Sequence, residues 1–402
     1  MPRHSLSAAC LWATCLAAPL GAQDFLLPIP VPHSGFVGDS GFADTGMSVL
    51  GGLSYGLFST LAYDSNVGAT GSPAASGGEG EADTILTLGP SISYRNPGGD
   101  FTFGGNLSLS DTTYFNNSDL GGLGYSGSAN VGYSGGRFQL SGTISSSLSQ
   151  GSNFNYDNAY TETLAFSTGI ALSYTLSRKT SINSAFSYSW SEPSQEDFST
   201  TYNAGLNVAA MWRYSPLTSI GPGLAWSLSG GSDQQDRQSL GPTVNIAYRL
   251  STKVSANGTF GMQFAESGGG DSQDDSFTTN LEINYRASSL WGMNLALSTG
   301  TTANGGIGGG YEDSTSFRFG YNRKIRRATL NLGTSYQSSD ISGASAAAAD
   351  NRDNISFDSS LGMLILSNRV NASIFYNWRD SFGDSALSAD GFRVGLSLST
   401  AF

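Results

Sequence analysis

From about residue 50 onward, apolar and small polar residues alternate with a period of two, and no other feature of the chain so narrows its possible folds. Successive side chains on a strand point to opposite faces, so this alternation predicts strands with two unlike faces. The last segment shows it most cleanly. Phe392, Val394, Leu396, Leu398, Thr400 and Phe402 share one face, and Gly391, Arg393, Gly395, Ser397, Ser399 and Ala401 share the other. The same separation sets Ile182, Phe186, Tyr188 and Trp190 against Ser181, Asn183, Ala185 and Ser187. Trp291, Met293, Leu295 and Leu297 oppose Gly292, Asn294, Ala296 and Ser298, and Val254, Phe260, Met262 and Phe264 oppose Ser255, Asn257, Thr259 and Gln263.

In a β-sandwich the bulky face would be a dry core and the other face a charged exterior. Here the polar face is built of Ser, Asn, Thr, Gly and Ala, and only 12% of the chain is charged. A lipid-facing exterior and a polar lumen suit this better. Past the N-terminal segment no run of 18 apolar residues occurs, which argues against spanning helices, and no helical periodicity is found.

The first residues read as an address. Arg3 and His4 precede an apolar stretch from Leu6 to Leu20, and Gly21-Ala22 offers small residues for cleavage after Ala22. Residues 1–22 are therefore expected to be a signal peptide, 23–48 an extended periplasmic tail carrying Pro28, Pro30 and Pro32, and 49–402 the barrel. Both cysteines, Cys10 and Cys15, fall in the signal segment. The mature chain has no disulfide to hold it, and closure of a hydrogen-bonded barrel is the alternative.

Turn signals alternate short and long. Short ones fall at Asn96-Pro97-Gly98-Gly99, Ser134-Gly135-Gly136, Ser177-Arg178, Ser215-Pro216, Ser251-Thr252, Ala287-Ser288, Lys324-Ile325-Arg326 and Ser367-Asn368. Longer loops lie around 65–82, 116–121, 150–160, 192–199, 231–238, 266–276, 300–312, 339–353 and 380–388. Together they predict an all-β fold, a transmembrane up-and-down antiparallel β-barrel of 18 strands, or 16 if one hairpin is misread. Gly89-Pro90, Gly221-Pro222 and Gly241-Pro242 interrupt good strand patterns and read as bulges or strand ends, because proline removes a ladder donor.

Tyr94, Tyr133, Tyr174, Tyr214, Tyr248, Tyr285 and Tyr321 each sit just before a short turn, as an aromatic girdle at one membrane interface would. Trp190, Trp226, Phe264, Tyr336 and Trp378 suit the opposite girdle. Of the 19 basic residues, 13 cluster at the short turns, whereas the long loops carry acidic groups such as Glu192 and Asp236. The short-turn end is therefore expected in the periplasm and the acidic end outside.

The chemistry of catalysis is missing from the pattern. The mature chain has one histidine, His33 in the tail, and shows no cysteine nucleophile, metal-ligand cluster or phosphate loop. No enzyme activity, cofactor or nucleic-acid partner is expected. Asp271, Asp274 and Asp275 are calcium candidates by residue type alone, set beside the simpler readings of a hydrated surface or a cation-attracting mouth. The inward face is expected to be Ser, Asn, Thr, Gly and Ala, with Arg213, Arg318 and Arg393 among few charges and no ladder of basic groups.

The segment Ala62-Tyr63-Asp64-Ser65-Asn66-Val67, an acidic loop, and then Asp83-Thr84-Ile85-Leu86-Thr87-Leu88-Gly89-Pro90-Ser91-Ile92-Ser93-Tyr94 resemble the β-barrel porin-2 family. Its members often open with a Tyr-Asp-x-Asn strand followed by one with a mid-strand proline. The resemblance implies an outer-membrane barrel, and for some members an association with exopolysaccharide export. Phe402 resembles the C-terminal aromatic signal read by the barrel assembly machinery. Three functions follow as expectations. They are a porin-like channel for passive diffusion of small hydrophilic solutes, an accessory in exopolysaccharide export or attachment, and an adhesive barrel without an open pore. The expected surroundings are outer-membrane lipid and lipopolysaccharide.

Overall fold

The computed structural model describes residues 52–67, 81–96, 98–153, 159–195, 198–232, 234–267, 275–303, 311–342, 351–365, 370–383 and 391–402. The expected signal peptide and periplasmic tail lie outside the described residues.

Eighteen strands follow in chain order. The first six are β1 (Leu53–Val67), β2 (Glu81–Arg95), β3 (Phe101–Tyr114), β4 (Gly122–Gly135), β5 (Phe138–Asn153) and β6 (Ala159–Thr175). Then come β7 (Thr180–Pro193), β8 (Thr201–Arg213), β9 (Thr218–Gly231), β10 (Gln234–Arg249), β11 (Val254–Ser267) and β12 (Asp275–Ser288). The last are β13 (Trp291–Ala303), β14 (Tyr311–Ile325), β15 (Ala328–Ser342), β16 (Asn351–Ile365), β17 (Val370–Gly383) and β18 (Gly391–Ala401). A single turn of 3-10 helix, Ser118–Leu120, interrupts the β3–β4 connection.

Every strand pairs antiparallel with its neighbours in sequence, and β1 pairs with β18, so the sheet closes. At the seam Leu57 stands opposite Thr400 and Leu61 opposite Leu396. The backbone of Tyr55 exchanges hydrogen bonds with that of Phe402, at 3.2 and 2.7 Å. Closure removes both sheet edges, so no row of edge ladder groups is left unpaired in lipid. The strands run from 11 to 17 residues, enough for a tilted strand to cross an apolar layer.

Partnered residues share a face, so the registers sort the whole wall. Leu57, Leu61, Leu224, Ile374 and Leu396 point outward and are strongly exposed, Leu57 at 55% and Leu396 at 53%. The alternating hydrophobics of β7, β11, β13 and β18 face the same way. Short turns have a local cause. Ser177, Ser251 and Ser288 each open one, and their hydroxyls accept from backbone N–H groups two or three residues on, at 3.1–3.2 Å.

The three Gly-Pro pairs correct the reading from sequence. They are neither bulges nor strand ends: Pro90, Pro222 and Pro242 sit well inside β2, β9 and β10. Pairing resumes in the same register beyond each, so no residue is inserted. The break is one-sided. Pro90 still pairs with Leu57 and Pro242 with Leu224, while the other neighbour loses its two pairs at that point. The carbonyl opposite each proline has lost its N–H donor and presses against the preceding glycine. A Cβ on Gly89, Gly221 or Gly241 would overlap the oxygen of Leu109, Ala210 or Met262 and stand only 2.7–2.9 Å from its carbon. Glycine makes room for the acceptor that proline orphans.

Candidate functional site: a polar interior of two unlike walls

The inner face divides into a dry wall and a wet one. Along β8 to β13 the barrel folds in upon itself, so that β13 comes within 8 Å of β8 and β9, Cα to Cα. Small inward residues allow this approach, and polar groups that would otherwise be stranded bond to one another. The Thr259 hydroxyl donates to Asn245 Oδ1 at 2.9 Å, Asn245 Nδ2 donates to Thr243 at 3.2 Å, and Ser227 and Ser239 hydroxyls lie 2.6 Å apart. Ala209, Met211 and Ala247 are buried beside them. This part of the lumen is filled with protein.

The opposite wall stays accessible. Inward side chains of β14 to β18 are half-buried or exposed apart from Ser339, with Asp358 among the exposed. Here one register places five inward residues side by side, one per strand. Asp83 on β2 faces Asp64 on β1, which faces Arg393 on β18, then Asn377 on β17 and Asp358 on β16. Asn377 Nδ2 donates to Asp358 Oδ1 at 2.6 Å. Arg379 stands one inward position nearer the long-loop end, within electrostatic reach of Asp64, Asp358 and Arg393.

Two neighbouring carboxylates in this row would repel, and each is neutralised differently. Asp64 has Arg393 directly opposite. Asp83, 1% exposed, accepts from the backbone N–H of Thr84, Phe115, Asn116 and Asn117 at 2.6–3.2 Å, and from Asn117 Nδ2 at 3.1 Å. It thereby ties the β3–β4 loop to the wall. Leu120 of that loop packs on Ile85, Tyr114 and Val67, an apolar patch inside the long-loop mouth.

The registers put Arg213, Arg318 and Arg393 on the inner face, as the sequence pattern led us to expect. Not singled out from sequence were Asp64, Arg237, Glu282, Glu312, Asp358 and Arg379. Their parity held the signal: Arg379 alternates with Trp378 and Tyr376 on the opposite face, and Glu282 with Leu281 and Ile283. Glu282 accepts from Asn284 Nδ2 at 2.8 Å, and Glu312 accepts from Gln337 Nε2 at 2.8 Å and from the Ser339 hydroxyl.

Tyr133, Tyr174 and Tyr248 lie on the outer face at 37–39% exposure, and Tyr214 stands in the turn after β8 at 72%. Tyr94, Tyr285 and Tyr321 share the outer face by register; Tyr94 packs on Phe103 with ring centroids 4.9 Å apart, and Tyr285 and Tyr321 flank Trp291 at 5.3 and 6.1 Å. Of the calcium candidates, Asp271 and Asp274 lie outside the described residues, and Asp275 is described only as the first residue of β12. Among the described residues no cluster of three His, Cys, Asp or Glu could hold a metal.

No family profile matches the chain, and no curated protein matches it either. Solved structures do. OccAB4 of Acinetobacter baumannii is 11% identical, with a TM-score of 0.43, over 90% of this chain and 100% of that one. The outer membrane protein OpdK of Pseudomonas aeruginosa is 12% identical, with a TM-score of 0.40, over 87% and 98%. The siderophore receptor PirA of Pseudomonas aeruginosa is 11% identical, with a TM-score of 0.41, over 86% and 80%. At such values these likenesses carry no argument about solute or mechanism.

Proposed function

We propose that this chain is an outer-membrane channel for passive diffusion of small hydrophilic solutes. The observation that carries the reading is the contrast between faces: exposed Leu, Ile, Val and Phe outside, and solvent-reached polar side chains inside along β14 to β18. A closed barrel of 18 strands has the circumference for an aqueous passage even with one wall folded inward. Lipid covers the outer belt. The tyrosines at the short turns anchor that end at the interface, and Phe402, paired to Tyr55 at the seam, is the element read by the assembly machinery.

The charge row tunes what passes. Three carboxylates and two arginines on adjoining strands give a mixed strip, which weakly favours cations and rejects neither sign. Planar-bilayer recording of the refolded protein tests the reading. Discrete conductance steps in potassium chloride are expected. A folded, membrane-inserted barrel with no conductance would sink it, and would leave the adhesive alternative standing.

A further inference from the structure

One buried cation in the folded-in lobe has a guanidinium nitrogen with no hydrogen-bond partner among the described residues. Arg237, inward on β10, is 8% exposed. It lies in a small pocket lined by Ser227, Ser229, Ser239, Gln263, Ser276 and Thr301. Its guanidinium carbon stands 5.5 Å from the ring centroid of Tyr311, the first residue of β14, although β10 and β14 are four strands apart. Among the described residues, Arg237 Nη2 and the Tyr311 hydroxyl are both buried without a hydrogen-bond partner.

A buried guanidinium nitrogen left without an acceptor is costly, and two orphaned donors so near each other are rare in a folded chain. The carboxylates next to each in sequence are already engaged. Asp236 accepts from the Tyr202 hydroxyl, reaching it across Gly230, and Glu312 is held by Gln337 and Ser339. The pocket offers hydroxyls and an amide, and the carboxylate that touches its lining, Asp313, is already engaged by the Thr301 hydroxyl. Among the described residues, Arg237 Nη2 has no acceptor bearing negative charge.

We propose that Arg237 and the hydroxyls around it form a binding site for the oxyanion end of a solute, a carboxylate or a phosphate. The guanidinium fork matches a planar or tetrahedral oxyanion with two parallel N–H donors. Ser229 and Ser276 supply neutral donors to the remaining lone pairs. The cation–π contact with Tyr311 holds the fork in place. The site is additional to the diffusion pathway proposed above and does not depend on it.

Isothermal titration of the folded barrel in detergent micelles, which needs no conductance, tests this with gluconate, inorganic phosphate and glucose as probes. Gluconate or phosphate is expected to bind at least tenfold more tightly than glucose, and their ratio tells which oxyanion fits. Arg237→Gln should lose that preference, Arg237→Lys should keep part of it, and Ser229→Ala should weaken binding roughly threefold. Folding of each variant is checked by heat-modifiable migration on gels, and Ser229→Ala keeps the test available if the arginine variants do not fold: undiminished oxyanion preference in that folded variant counts against the proposal. Equal binding of glucose and the anions by the wild-type barrel would overturn the proposal. So would folded Arg237→Gln with undiminished preference.

Discussion

The Gly-Pro pairs allow a stability prediction to be worked from geometry. In Gly241→Ala, the new methyl would meet the Met262 carbonyl, 2.7 Å from its carbon. Relaxed carbon contacts lie near 3.5–4.0 Å and the carbonyl oxygen is closer still, so β10 and β11 must separate by at least about 1 Å. The ladder is already open at this point, and the strain falls on the flanking pairs, Leu240 with Phe264 and Thr243 with Gly261. Each backbone hydrogen bond lost or stretched costs about 1 kcal/mol net, and more in an apolar layer without competing water. A loss of about 2–4 kcal/mol follows. Urea titration in lipid vesicles, read by tryptophan fluorescence, measures it. Gly300→Ala is the control, since nothing lies within 4 Å of a Cβ there, and it should change stability by no more than about 0.5 kcal/mol. The double variant Gly241→Ala, Pro242→Ala restores an N–H to the Met262 carbonyl and should recover at least half of the loss. If Gly241→Ala proves as stable as Gly300→Ala, the account of these prolines is wrong.

Two further perturbations address the charge row and the loop it holds. Asp83→Ala would take the acceptor from the backbone N–H groups of Asn116 and Asn117, whereas Phe115 keeps the Thr84 carbonyl at 3.1 Å. Amides at 116 and 117 should therefore exchange with deuterium roughly 30-fold faster or more, while strand amides of β12 to β14 keep their protection. Unchanged exchange at those amides would show that the loop is held by Leu120 packing alone. Arg393→Ala leaves Asp64 and Asp358 less balanced, and one charge about 7 Å away in water is worth about 0.6 kcal/mol, near RT. Cation-over-anion permeability, from the reversal potential in a salt gradient, should rise roughly threefold. A shift toward anions would contradict the placement of this row in the conducting space.

Much of this protein was written in its period-two pattern. Which residues face inward is a local property, settled by parity along each strand, so Arg318 and Arg393 were legible, and Arg379 and Glu282 were legible in principle. The strand number followed from turn chemistry at short spacing, as with Ser177 and Ser251. The Gly-Pro pairs were misread because a pattern shows that proline removes a donor but not that a glycine beside it receives the orphaned carbonyl.

The sequence alone determined the strands, their count and the character of their two faces, because each rests on neighbours a few residues apart. Only the tertiary structure decided which inward residues meet. The row from Asp83 to Asp358 depends on registers accumulated from both chain ends and joined where β1 closes on β18. The meeting of Arg237 with Tyr311 depends on how far the wall between β8 and β13 bends inward. Both are sums over many hairpins and contacts, and no periodicity within a single strand encodes them.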